Sequence, residues 1–133
     1  MILNQITLPC TADTFHACLD FYQTLGLKLI VHTHDEYARF ECPASDGAEP
    51  STFSLHVVNG ELGPSAARAV IYFEVDLVPE IVARLKKQGI KISYAVEQSW
   101  LWTEAELTDP AGNPIRIYYA GENRRFPPWR KDT

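Results

Sequence analysis

The chain has little that a nucleic-acid or membrane protein would need. Lys and Arg total 12 against 17 Asp and Glu, a formal charge of −5. That argues against the basic face used for sequence-independent nucleic-acid binding. No apolar run is long enough to span a bilayer, and no signal-peptide pattern opens the sequence. Cysteine is scarce: Cys10, Cys18 and Cys42 are odd in number and widely spaced. They match no zinc or redox motif, so the expectation is reduced thiols in a cytoplasmic protein. A glycine-rich phosphate loop, a nucleophile elbow and an HExxH pair are all missing, which leaves nucleophilic catalysis without support.

What is present is an ordinary globular composition, 46% hydrophobic over 133 residues. That length suits one domain, or two small repeats sharing a core. The stretch DPAGNPIRIYYA (109–120) anchors the reading. Asp109-Pro110 opens a turn, and Gly112-Asn113 supplies residues that tolerate positive φ. A strand follows over 115–120. Its faces are Ile115, Ile117 and Tyr119 against Arg116, Tyr118 and Ala120.

From the start, LNQITLPC (3–10) alternates as a strand. Asp13, or Thr11, can cap a helix with the stripe Phe15, Cys18, Leu19, Tyr22 and Leu25, and Gly26 closes it. Strands LKLIVH, YARFEC and TFSLHVV follow, with a polar HTHDE turn after the first and a Pro/Ser/Gly loop over 43–51 before the last. GELGPSAA (60–67) reads as a linker. Then the order restarts. VIYFEV alternates, Asp76 can cap a helix with the stripe Val78, Ile81, Val82 and Leu85, and Gly89 closes it. KIS, WLWTEAELT and the anchor strand complete the set.

The two helices superimpose at a constant offset of 63 residues, caps and exits included (GLKL against GIKI). Shared periodicity alone does not explain matched caps and exits, so the chain reads as an internal duplication. Each copy is strand, helix, then three strands, with one sheet face covered by a helix and one uncovered. The modules span 1–59 and 68–121 of a 1–121 domain, and 122–133 form a C-terminal arm. FPPW in that arm predicts an extended segment whose Phe126 and Trp129 pack on the body or a neighbouring subunit.

FYQTLG in the first copy, FEVD before the second helix and DPAGN before the last strand resemble the vicinal oxygen chelate superfamily. That group includes glyoxalase I-like lyases, extradiol dioxygenases, fosfomycin-resistance transferases and bleomycin-binding proteins. The resemblance covers residues 1 to about 121. It implies an α+β fold of two βαβββ modules, sheets curled around a cavity, and a homodimer. It also implies metal ligands on the first and last strand of each module, here Gln5, His56, Val70 and Arg116. Gln5 and His56 are acceptable ligands for a divalent ion. Val70 cannot ligate, and Arg116 stands where the family often has a carboxylate. The ligand set is therefore incomplete.

Alternation names the other groups on the uncovered faces: Thr7, Ser54, Tyr72, Glu74, Trp100, Trp102, Glu104, Glu106 and Tyr118. Apolar walls with a few convergent polar groups suit a small molecule. Glu74 and Glu104 are the candidate catalytic carboxylates, and Glu74 is also expected to pair with Arg116. Trp100 and Trp102 read first as wall packing, or else as a stacking platform for a cation or flat ring. His32 and His34 read as an exposed strand end, and His16 as a solvated helix residue.

Three functions follow from the resemblance. One is a bleomycin-resistance-type binding protein without catalytic metal. Another is a metal-dependent lyase, isomerase or dioxygenase, with Gln5 and His56 holding the ion and Glu74 or Glu104 completing it. In that case the metal polarises vicinal oxygens and a glutamate acts as base. The third is a non-enzymatic dimeric module with a collapsed cavity.

Overall fold

The structure is a computed structural model that describes residues 1–44 and 47–131. Residues 45 and 46 of the 43–51 loop, and the last two of the arm, lie outside the described residues. The elements run β1 (Gln5–Cys10), α1 (Phe15–Leu25), β2 (Lys28–Thr33), β3 (Tyr37–Glu41), β4 (Thr52–Val57), β5 (Ile71–Glu74), α2 (Val78–Lys87), β6 (Val96–Glu97), β7 (Thr103–Thr108) and β8 (Pro114–Tyr119). None of the described helices is long and apolar enough to cross a membrane. The strands form two four-stranded sheets of identical order, β1-β4-β3-β2 and β5-β8-β7-β6. In each, the first strand runs parallel to the last and the remaining pairs are antiparallel. This is the α+β architecture of two βαβββ modules, and neither sheet closes on itself.

The duplication extends to single hydrogen bonds. After α1, Gly26 N–H donates to Gln23 and Leu27 N–H to Tyr22; after α2, Gly89 N–H donates to Lys86 and Ile90 N–H to Leu85. Both glycines have positive φ, 109° and 85°. This paired closure is what a left-handed residue past a helix end produces. A Cβ on Gly26 would meet nothing within 4 Å. Gly26→Ala therefore isolates the backbone cost, and a urea melt should record a loss of about 1 kcal/mol.

By contacts the chain divides into two units. The first comprises 1–68 together with 109–113; the second comprises 69–108 and 114–133. In the first, α1 buries Phe15, Cys18, Leu19, Phe21 and Tyr22. Tyr22 sits 4.6 Å from Phe53 and 5.9 Å from Phe40, ring to ring, so α1 covers the face of β3 and β4 that carries the apolar parity. A fully buried Leu55 completes that face. In the second unit α2 buries Val78, Val82 and Leu85, with β7 and β8 its nearest strands. Ala105, Leu107, Ile115 and Ile117 form the apolar face there.

Several expectations fail locally. The helix caps are Thr14 and Leu77, not Asp13 and Asp76, and neither makes a side-chain cap bond. Thr14 Oγ1 instead accepts the Thr11 N–H at 3.1 Å and pairs with Thr11 Oγ1 at 2.8 Å. The segment KIS is not a strand: Ile92 makes a single bridge to Leu107, and the edge strand lies further on at Val96–Glu97. Three residues with one buried side chain are too few to compete with the loop. Strand β7 begins at Thr103, so Trp100 and Leu101 belong to the preceding turn, and Leu101 has φ 70°. The arm turns instead of running extended: Gly121–Arg124 form a 3-10 turn, and beyond it the Arg130 N–H donates to the Pro127 carbonyl at 2.9 Å. Phe126 and Trp129 remain 55% and 56% exposed. Arg125 and Arg130 lie over the Phe126 ring, which accounts for how that aromatic is accommodated locally.

Candidate functional site

Two of the motifs that carry the family resemblance, FYQTLG and DPAGN, meet in the first unit, and the contacts they make there are structural. Tyr22 of FYQTLG donates its hydroxyl to Asp109 Oδ2 of DPAGN at 2.6 Å. Asn113 Nδ2 also donates to Oδ2, at 2.8 Å, and to the Pro9 carbonyl at 2.9 Å. Oδ1 accepts the N–H groups of Ala111 and Asn113 at 2.9 and 2.8 Å. Arg68 holds the same turn from outside, donating to the Ala111 carbonyl at 2.7 Å and the Gly63 carbonyl at 2.7 Å. Burial, helped by the Asp109 charge, pushes the Tyr22 phenol far above its ordinary range. It raises Cys10 to about 11 and Cys18 to about 12. Both thiols are fully buried, so neither is a nucleophile.

Chemistry is found instead on the uncovered sheet faces. On the first, the parallel register sets Gln5 against Thr52, Thr7 against Ser54 and Pro9 against His56. The antiparallel register sets Arg39 against Ser54 and Tyr37 against His56. Gln5 Nε2 donates to Ser54 Oγ at 2.9 Å and to Thr7 Oγ1 at 3.3 Å, and Gln5 Oε1 accepts from Thr52. Ser54 Oγ lies 2.8 Å from the Tyr37 hydroxyl, and Arg39 Nε donates to that hydroxyl at 2.9 Å. Partial burial pushes the Tyr37 phenol up. Hydrogen bonds from Ser54 and Arg39, together with the Arg39 charge, outweigh burial, and the net shift is downward. Tyr37 and Arg39 did not emerge from the sequence reading. Their signal was there, because Ala38 and Phe40 take the apolar parity of YARFEC and leave Tyr37 and Arg39 for the other face.

The second uncovered face is aromatic. Tyr72, Trp102 and Tyr118 pack with ring centroids 5.0 to 5.7 Å apart. Tyr118 is buried, whereas Tyr72 is 41% exposed. Trp100, from the turn, donates Nε1–H to Glu104 Oε2 at 2.7 Å, and this tie accompanies a nearly buried carboxylate. Burial raises the Tyr72 and Tyr118 phenols, with nearby carboxylates adding to it, so neither is poised as a base.

The expected Glu74–Arg116 pair does not form. Glu74 Oε2 accepts the N–H groups of Ala120 and Gly121 at 2.8 and 3.0 Å, which commits it to closing the end of β8. Arg116 pairs with Glu106 at 3.6 Å, its neighbour in the register. Proximity along an antiparallel pair outcompetes the carboxylate across the parallel one.

The residues do not fit a divalent cation in the way the family implies. Gln5 and His56 are not brought together. His56 lies opposite Pro9, four residues beyond the Gln5 position, which is roughly 13 Å along the strands. Both ends of the Gln5 amide are already bonded to Thr52 and Ser54. Val70 precedes β5 and offers no ligand atom, and Arg116 would repel a cation. Among the described residues, no three His, Cys, Asp or Glu side chains converge as a metal site requires.

Elsewhere in the first unit, Asp35 bridges His32 at 2.6 Å and His16 at 3.2 Å. His16 is therefore not simply solvated. His34 and Asp35 both have positive φ, as the central residues of the tight turn closed by the Glu36 N–H on the Thr33 carbonyl.

Two βαβββ modules, each a four-stranded sheet with its own helix, define the class of fold. The chain belongs to the Glyoxalase/Bleomycin resistance protein/Dioxygenase superfamily, whose family model matches residues 3–117. Among solved structures it is similar to a lactoylglutathione lyase from Agrobacterium tumefaciens, at 18% identity and TM-score 0.69, covering 89% of this chain and 92% of that one. It is similar to a bleomycin resistance determinant encoded on the transposon Tn5, at 22% identity and TM-score 0.68, covering 90% and 98%. It also resembles a bleomycin-binding protein complexed with bleomycin, at 21% identity and TM-score 0.67, covering 90% and 98%. At these identities the likeness establishes the fold. No curated protein matches the sequence.

Proposed function

We propose that the chain is a small-molecule-binding member of this superfamily that works without a resident metal. Its ligand is an aromatic or cationic compound seated against Tyr72 and Trp102. The observation that carries this reading is the second sheet's aromatic cluster, with an exposed Tyr72 ring in contact with Trp102 and Tyr118. Glu104 and Glu106 line the same face, and only Glu106 has a cationic partner among the described residues. An aromatic face flanked by carboxylates favours a cation, which the ring quadrupole and the acids attract together. The bleomycin-complexed neighbour supports small-molecule binding on this fold. The incomplete ligand set supports binding over metal-assisted turnover.

The test is titration with bleomycin and with benzyltrimethylammonium, followed by tryptophan fluorescence and calorimetry. Saturable binding of at least one is expected. Trp102→Ala should weaken it about tenfold, equivalent to ~1–2 kcal/mol for a desolvated cation–aromatic contact. Flat titrations with both would overturn the ligand class. Stoichiometric uptake of Mn²⁺ or Ni²⁺, abolished by Gln5→Ala, would overturn the metal-free reading.

A further inference from the structure

We propose that the uncovered face of the first sheet binds a small carboxylate through the Tyr37 hydroxyl and the Arg39 guanidinium. This goes beyond the aromatic site and stands on a different sheet.

The argument starts from Ser54, whose side chain is fully buried. Its oxygen accepts from Gln5 Nε2 at 2.9 Å and lies 2.8 Å from the Tyr37 oxygen. A serine hydroxyl has one proton to give. Directing that proton at Tyr37 leaves no buried donor idle, whereas accepting from Tyr37 as well would strand it. Ser54 therefore donates to Tyr37. Arg39 Nε donates to the same oxygen at 2.9 Å. With two donors already on its oxygen, Tyr37 has its own O–H left to offer outward. Tyr37 is half-buried and Arg39 exposed, so a ligand can reach both.

Arg39 adds the charge. Among the described residues it has no carboxylate partner, in a chain whose formal charge is −5. The nearest acid on its face, Glu41, lies two residues along and opposite Lys28 in the register. His56, exposed and directly opposite Tyr37, flanks the site with a ring N–H as a further donor. A phenol O–H beside a guanidinium that has no carboxylate partner among the described residues matches the acceptor-only, negatively charged carboxylate.

The probe is benzoate, titrated into the full chain by calorimetry and by ¹H–¹⁵N shift mapping. The wild type should bind saturably, with shifts centred on β3 and β4. Tyr37→Phe and Arg39→Gln should each weaken binding at least tenfold, while Arg124→Gln, a charge-matched control, leaves it unchanged. Far-UV circular dichroism and urea midpoints establish that each variant is folded. Ser54→Ala, which removes the donor that orients Tyr37, should weaken binding several-fold. An absence of saturable benzoate binding would overturn the proposal. So would equal affinity in Tyr37→Phe and Arg39→Gln, or shifts confined to the second sheet. Benzyltrimethylammonium binding is read separately on Trp102, so failure of one site leaves the other measurable.

Discussion

Asp109→Ala should remove about 3–5 kcal/mol of stability, seen as a lower urea midpoint, because it strands several buried donors at once. Asp109 is 3% exposed, and its two oxygens accept four hydrogen bonds. The truncation leaves the Tyr22 hydroxyl, two backbone N–H groups and one Asn113 donor without their acceptor. Tyr22 and Asn113 are both fully buried, so water cannot substitute without opening the core. Tyr22→Phe removes one donor and leaves a carboxylate that still accepts three bonds; it should cost only about 1–2 kcal/mol. Asn113→Ala should fall between them, since it loses the tie to the Pro9 carbonyl on β1 as well. A melt in which Asp109→Ala is no worse than Tyr22→Phe would mean that the turn relaxes to recruit other partners. The joint made by the two family motifs would then not hold the first unit together.

That joint explains why the fold was so legible. FYQTLG and DPAGN stand 87 residues apart, yet the tyrosine of one and the aspartate of the other make a single short bond. The motifs are recognisable because burial restricts what can stand at those positions. The duplication was legible for a related reason: helix exits need a left-handed residue, and glycine announces it at 26 and again at 89. Helix starts were less legible. Asp13 and Asp76 have the chemistry of caps, but the chain turns into the helix one residue later in both copies, at Thr14 and Leu77. Parity assigns strand residues to a face, and Trp100 fell outside its reach by lying in the turn before β7. It says nothing of position along the strand, and for that reason Gln5 and His56 looked like partners until the register separated them. Nor does it say which of two carboxylates a guanidinium will choose. Arg116 took Glu106, while Glu74 was claimed by backbone N–H groups that no side-chain pattern reveals.

The second large effect is alkaline unfolding. Cys10 and Cys18 have folded values of about 11 and about 12, against an ordinary 9.0, and the larger cause in each is burial, with the Asp109 charge second. Tyr22 is raised still further above its ordinary 10.0, again mainly by burial. A folded value above the unfolded one means that the native state holds its proton more tightly. Stability from these groups is intact below pH 9 and falls as the pH rises above it, by up to about 1.4 kcal/mol per pH unit for each group. By pH 11 the two thiols together should have cost several kcal/mol, on the order of the stability of a small domain. Urea midpoints should thus hold steady from pH 7 to 8.5 and drop steeply from pH 9 to 10.5. Cys10→Ala with Cys18→Ala starts from a lower midpoint because of the volume lost, but its decline over that interval should be much shallower. Asp109→Asn keeps the thiols buried and removes only the lesser cause, so its decline should stay closer to the wild type than to the double variant. A wild-type midpoint that does not move between pH 9 and 10.5 would show that hydroxide reaches the thiols without unfolding, and that α1 does not seal them against β1 as their burial implies.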